Sequence, residues 1–116
     1  QVESITGEHA ITESIDITCK KPTRLTINDE DIPLDSWRKM LISFMEYIWR
    51  LDSRNYEKIK GDSSLNKMLF ASQRSPEILD NGTSIETNFS ANVILALISK
   101  IAEICDIADE VSYTIK

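Results

Sequence analysis

The chain has 116 residues, the length of a single domain, with 41% apolar and 28% charged side chains. Its formal charge of −6 argues against a general nucleic-acid binder, whose affinity rests on cations facing phosphates. The longest apolar run, Val93 to Ile98, is too short to cross a membrane, so no membrane partner is expected.

Residues 1–23 read as a linker or an extra edge strand. Ile15, Ile17 and Cys19 alternate with Asp16 and Thr18 in the pattern of a half-buried strand, and the first dozen residues read as linker. Gln at position 1 leads to the expectation that the chain is part of something longer. The acids near this end, with no apolar core, do not make a secretory signal. A single α+β domain is expected over residues 24–116. It opens with Leu25 and Ile27 on a strand, an acidic turn over Asn28 to Asp31, and a second short strand at Ile32 and Leu34. Pro33 confines that second strand to a sheet edge, because proline cannot donate a ladder hydrogen bond.

Trp37, Met40, Leu41, Phe44, Met45, Ile48 and Leu51 recur every three or four residues, which predicts an amphipathic helix capped by Ser36 or Asp35. Arg38, Lys39, Ser43, Glu46 and Arg50 fall on its polar side. Tyr47 and Trp49 widen the apolar stripe, so the helix should be covered on two sides or form part of an interface. Asp52 interrupts it. With Asp52 as cap, Leu51 and Tyr56 occupy the positions of a hydrophobic staple for a short helix over residues 53–60, ending at Gly61. Residues 61–67 read as a loop, "KMLFAS" as a buried strand, and "QRSPEILDNGT" as a loop with turn signals at Ser75-Pro76 and Asn81-Gly82. "TSIET" is a strand candidate, entered from a hairpin loop of more than two residues.

The last long helix is predicted over residues 89–108. Ser90 is its N-cap, Phe89 and Ile94 its staple, and Ile94, Leu97, Ile98, Ile101, Cys105 and Ala108 its apolar stripe. A turn at Asp109-Glu110 leads into "VSYTI" as the closing strand. The order β-β-α-α-β-β-α-β, with an optional strand in front, predicts a small, mainly antiparallel sheet with two main helices on one face.

Catalytic side chains are sparse. The lone histidine, His9, lies in the front segment and reads as solvated. No metal-ligand spacing, nucleophile elbow or glycine-rich phosphate loop occurs, so no catalytic residue, metal or cofactor is expected and the chain is read as non-enzymatic. Asp29, Glu30 and Asp31 lack the further oxygen ligands of a calcium loop. The acid-x-lysine letters of Glu57 to Lys60 fall on a helix, unlike those of a nuclease core. Cys19 and Cys105 read as reduced thiols of an intracellular, cytoplasmic protein, and the two glycosylation-like triplets at Asn81 and Asn88 are set aside.

Two surfaces stand out. Met40, Met45 and Trp49 on the first long helix form a candidate protein interface, since methionine and aromatic residues are enriched in interface cores. Arg50, Arg54 and Lys58 recur every four residues and form a basic row if the two helices are continuous. Thr87, Asn88 and Asn92 surround the Ser90 cap, where turn chemistry explains Thr87 and Asn88 but leaves room for a small ligand or a nucleic-acid contact.

With "INDEDIPLDSW", "ETNFSAN" and the apolar helix after it, the chain resembles a small prokaryotic module of unknown function found at the C-terminal ends of longer proteins. The resemblance spans about residues 25–115 and rests on Ser36-Trp37, Glu86-Thr87-Asn88 and Ser90-Ala91-Asn92, with Phe70-Ala71-Ser72 in support. Residues 64–81 match nothing specific. It implies an accessory domain in proteins that handle nucleic acid or restrict phages, with no active-site residues to carry over. The expected function is self-association or docking to the rest of the parent chain. A nucleic-acid module using the basic row and the Asn88/Asn92 turn is the alternative.

Overall fold

The computed structural model describes residues 8–11, 17, 20–71, 74 and 76–115. Three strands, β1 (Glu8–Ala10), β2 (Pro22–Ile27) and β3 (Glu30–Pro33), precede the helices α1 (Trp37–Leu51), α2 (Asn55–Lys60) and α3 (Ser63–Asn66). A π-helical turn follows over Lys67–Ala71. The strands β4 (Pro76–Ile78) and β5 (Ser84–Glu86) lead to α4 (Ala91–Ile104), a 3₁₀ turn (Ala108–Glu110) and β6 (Val111–Ile115). The fold is α+β. One antiparallel sheet has the order β1-β6-β2-β3, and β4-β5 form a separate hairpin.

The sheet follows the two-residue period of its strands. Leu25 stands opposite Tyr113 on one side and Ile32 on the other, and Ile27 opposite Val111. Leu25, Ile27, Val111, Tyr113 and Ile115 are all buried beneath the helices. The alternate residues make a polar outer face tied together by its own side chains. Arg24 donates to Thr114 Oγ1 at 3.1 Å, and Thr26 donates to Asp31 Oδ1 at 2.9 Å. The β2–β3 turn is two residues long. Asn28 and Asp29 have φ of 50° and 67°, the left-handed pair that matches the twist of a hairpin and that Asn and Asp tolerate. Pro33 ends the edge strand β3, as its missing N–H requires.

Helix α1 packs on β2 and α4. Ser36 caps it, its Oγ accepting from the Lys39 N–H at 3.1 Å. Its polar side is bridged to the β4–β5 hairpin by exposed side chains. Arg38 pairs with Glu77, Glu46 accepts from the Asp80 N–H at 3.0 Å, and Arg50 pairs with Asp80 at 3.1 Å. The residues that widen the apolar stripe, Tyr47 and Trp49, are half-buried, and Trp49 packs on Tyr56. Ser43, expected on the polar side, is buried.

Ser90 caps α4, accepting from the Val93 N–H at 3.4 Å, with Ile94 buried and Phe89 packed against the core. The helix ends at Ile104, short of the expected Ala108. Asp106 adopts φ 61°, its N–H donates to Glu103 O at 3.1 Å, and the Ile107 N–H donates to Ala102 O at 2.8 Å. These two bonds close a Schellman cap and stop the helix.

Several expectations are corrected. Residues 8–11, read as linker, join the sheet, with β1 pairing β6 and Ile11 buried. Of the predicted strand over Ile15 to Cys19, only Ile17 is described. It is 5% exposed, and Ile15 and Cys19 lie outside the described residues. Lys67–Ala71, the described part of "KMLFAS", is helical rather than a strand, because α3 before it, capped by Asp62, carries the chain straight into the π turn. The strand that pairs with β5 comes instead from the predicted loop: β4 lies at Pro76–Ile78, and the Asn81-Gly82 signal forms the hairpin bend with Gly82 at φ 87°. Asp52 does not cap α2 as a helical N-cap. It makes a local turn, its Oδ1 accepting from the Arg54 N–H at 3.0 Å, and Leu51 stays 48% exposed outside the core.

Candidate functional site

The Ser90 turn is organised by a residue the sequence did not mark as a site residue. Glu86 ends β5 and is 5% exposed. Its Oε2 accepts from the Asn88 N–H at 2.9 Å, and its Oε1 accepts from the Arg74 N–H. Both oxygens thus receive backbone donors, the acceptor-only pattern of an ionised carboxylate. One side chain clamps the segment before β4 to the connection between β5 and α4. The only sequence signal was an acid next to Ile85, where strict alternation would have turned it to solvent.

The predicted cluster separates around this clamp. Thr87 is 2% exposed and belongs to the packed turn, so it presents nothing to a ligand. Asn88 is exposed and lines a cleft of about 350 Å³ together with Lys67, Met68, Arg74, Glu86 and Phe89. Asn92 is exposed on the first turn of α4 and does not line that cleft. Lys67, Met68 and Arg74 escaped notice because their segment read as a strand and a loop.

The basic row is not a row. The chain bends between α1 and α2. Arg50 is engaged by Asp80, while Arg54 grips Asp52 through Nε at 3.1 Å and NH2 at 3.0 Å. That grip and the Arg54 backbone bond hold the Asp52 carboxyl below its ordinary range. Lys58 is left exposed beside neutralised neighbours, so the three do not make a phosphate-binding face.

The proposed interface residues Met40 and Met45 are both 0% exposed and belong to the core, which corrects their reading as contact residues. They lie on the buried stripe of α1, which is consumed by folding. Trp49 is half-buried. Its ring packs on Tyr56 at a centroid distance of 4.9 Å, Tyr56 meets Phe70 at 6.1 Å, and Lys60 Nζ sits 5.1 Å from the Phe70 centroid. Tyr56 donates to the Met45 carbonyl at 2.9 Å and is itself buried, which pushes its phenol up to about 12.

His9, expected to be solvated, is 9% exposed, with its ring 6.1 Å from that of Tyr113. Trp37 meets the same tyrosine edge-on at 6.2 Å and donates from Nε1 to Lys20 O. Cys105 is a buried free thiol raised above its ordinary range by burial. Among the described residues no three His, Cys, Asp or Glu side chains gather as a metal site. Glu103, Asp106, Asp109 and Glu110 instead line a shallow acidic depression of about 270 Å³. No helix among the described residues is long and apolar enough to cross a membrane. Comparison of the chain with protein-family models, with curated proteins and with solved structures finds no match.

Proposed function

We propose that the chain is a non-catalytic protein-interaction module that self-associates through the seam between α1 and the β4–β5 hairpin. The observation that carries this reading is the placement of its exposed apolar residues. Leu51 and Ile78, 48% and 75% exposed, are the two exposed large apolar side chains among the described residues. Leu51 ends α1 next to Arg50, and Ile78 lies on β4 two residues before Asp80, while Met40, Met45, Phe44, Tyr56 and Tyr113 are buried inside.

Charge supports the same place. Along the seam Arg38 is matched by Glu77 and Arg50 by Asp80, with Glu46 held against the Asp80 N–H, so the charges there nearly cancel on a molecule of net charge −6. A second copy meets less repulsion there than at the acidic depression between α4 and β6. As an accessory part of an intracellular prokaryotic protein, such a module would hold copies of its parent chain together.

Sedimentation equilibrium across protein and salt concentration tests this. Self-association that strengthens or holds as salt rises, and weakens in an Ile78→Ser, Leu51→Ser double variant, supports the reading. Nucleic-acid binding would instead weaken steeply with salt. A strict monomer up to about 1 mM, the scale of an affinity near 4 kcal/mol, removes it.

A further inference from the structure

The cleft beside the Ser90 turn is separate from the seam and is built in a way the turn alone does not require. Two segments distant in sequence meet there. The π turn supplies Lys67 and Met68, and the connection from β5 to α4 supplies Asn88 and Phe89. The wider i to i+5 turn is rare and recurs at functional positions in helical proteins. Glu86 bonds the backbone of both Arg74 and Asn88, so two lining residues are held in place before any ligand arrives.

The chemistry of the lining is mixed in a specific way. Met68 and Phe89 offer apolar surface, and Asn88 offers an amide. Lys67 and Arg74 are exposed and make no ion pair among the described residues. Among the described lining residues Glu86 supplies the one carboxylate against these two cations, so their formal charges sum to about +1. That balance matches a monoanion better than a dianionic phosphate. The volume of about 350 Å³ is at the small end of ligand pockets, which run roughly 300–1,000 Å³. It suits one ring or branched chain with its acid group.

We propose that this cleft binds a small apolar carboxylate, its anion held by Lys67 and Arg74 and its body against Met68 and Phe89. The carboxylate belongs either to a free organic acid or to the C-terminal residue of a peptide, which present the same group.

Nitrogen-resolved NMR titration of the whole chain tests the assignment, with indole-3-acetate and a peptide ending in a phenylalanine carboxylate as probes. Indole-3-acetamide and the C-terminally amidated peptide serve as controls. Saturable shifts centred on Met68, Asn88 and Phe89 are expected, weakened about 10-fold or more in both neutral amides, because a charge-assisted bond is lost. A Lys67→Gln, Arg74→Gln double variant should weaken both acids similarly while keeping the spectrum of the folded protein, since both side chains are exposed. Tighter binding of the peptide acid marks a chain terminus as the ligand, and tighter binding of indole-3-acetate marks a free acid. Either supports the proposal. It is overturned by amides that bind as well as the acids, by adenosine monophosphate binding more tightly than both, or by no saturable shift at about 10 mM, a scale weaker than 4 kcal/mol.

Discussion

Replacing Glu86 by glutamine keeps the shape of the side chain and changes only its charge and one hydrogen-bonding atom. In the native turn each carboxylate oxygen accepts a backbone N–H, one from Asn88 and one from Arg74. A glutamine has one oxygen to offer. Its NH₂ must face the other N–H, donor against donor, inside a site where the side chain is 5% exposed. Hydrogen bonds to charged groups contribute about 1.5–3 kcal/mol each, and a buried donor left without an acceptor adds a desolvation penalty. Glu86→Gln should therefore destabilise the domain by about 2–4 kcal/mol. In urea that appears as a lower midpoint with an unchanged slope, because the surface exposed on unfolding is the same. In a thermal scan it appears as a drop of roughly 10 °C, on the scale of about 4 °C per kcal/mol for a chain of this size. Asn88→Ala is the matched control. Asn88 engages Glu86 through its backbone N–H, which alanine keeps, so its effect should stay within about 0.5 kcal/mol. A Glu86→Gln variant as stable as the native chain, or an Asn88→Ala variant that loses more, would refute the clamp.

Two further outcomes follow from the core around α1. Tyr56 carries a phenol pushed up to about 12 against 10.0 when free, so the unfolded chain releases that proton first. Its contribution to stability is full below pH 10, falls as pH rises from 10 to 12, and should be absent from the profile of Tyr56→Phe, read by ultraviolet titration and by unfolding at each pH. Met45→Ala should destabilise by about 2–5 kcal/mol through lost burial and a cavity, measured in urea. Its folded fraction should sediment like the native chain, because Met45 is 0% exposed.

Much of the fold was legible locally. Ser36 and Ser90 announced the starts of α1 and α4, since a serine followed by helical apolar spacing supplies the acceptor that free helix amides need. The β2–β3 hairpin and the edge position of β3 were carried by Asn28, Asp29 and Pro33. Elsewhere two local readings were equally available. "KMLFAS" suits a short strand or a buried helical turn, and periodicity cannot separate them over so few residues. Asp62, by capping α3, decided for the helix. Glu77 and Asp80 looked like loop acids until Arg38 and Arg50 of α1 stood opposite them, which let residues 76–78 pair with β5.

The candidate site was less legible, for the same physical reason. A periodic stripe says that Met40, Met45 and Trp49 turn away from water. It does not say whether the cover is this chain or another, and here the chain's own core buries both methionines. A run of cations four residues apart does not reveal that Asp52 bends the chain beneath it or that Asp80 arrives from 30 residues away. What the sequence determined by itself is what short-range geometry controls: which residues cap, which turn, and which face of a helix or strand is apolar. What only the tertiary structure decided is which polar groups find partners across the chain. Those partners are set by packing among distant segments, so the buried Glu86 clamp and the cleft lined by Lys67, Arg74 and Phe89 exist only once the π turn lies against β5.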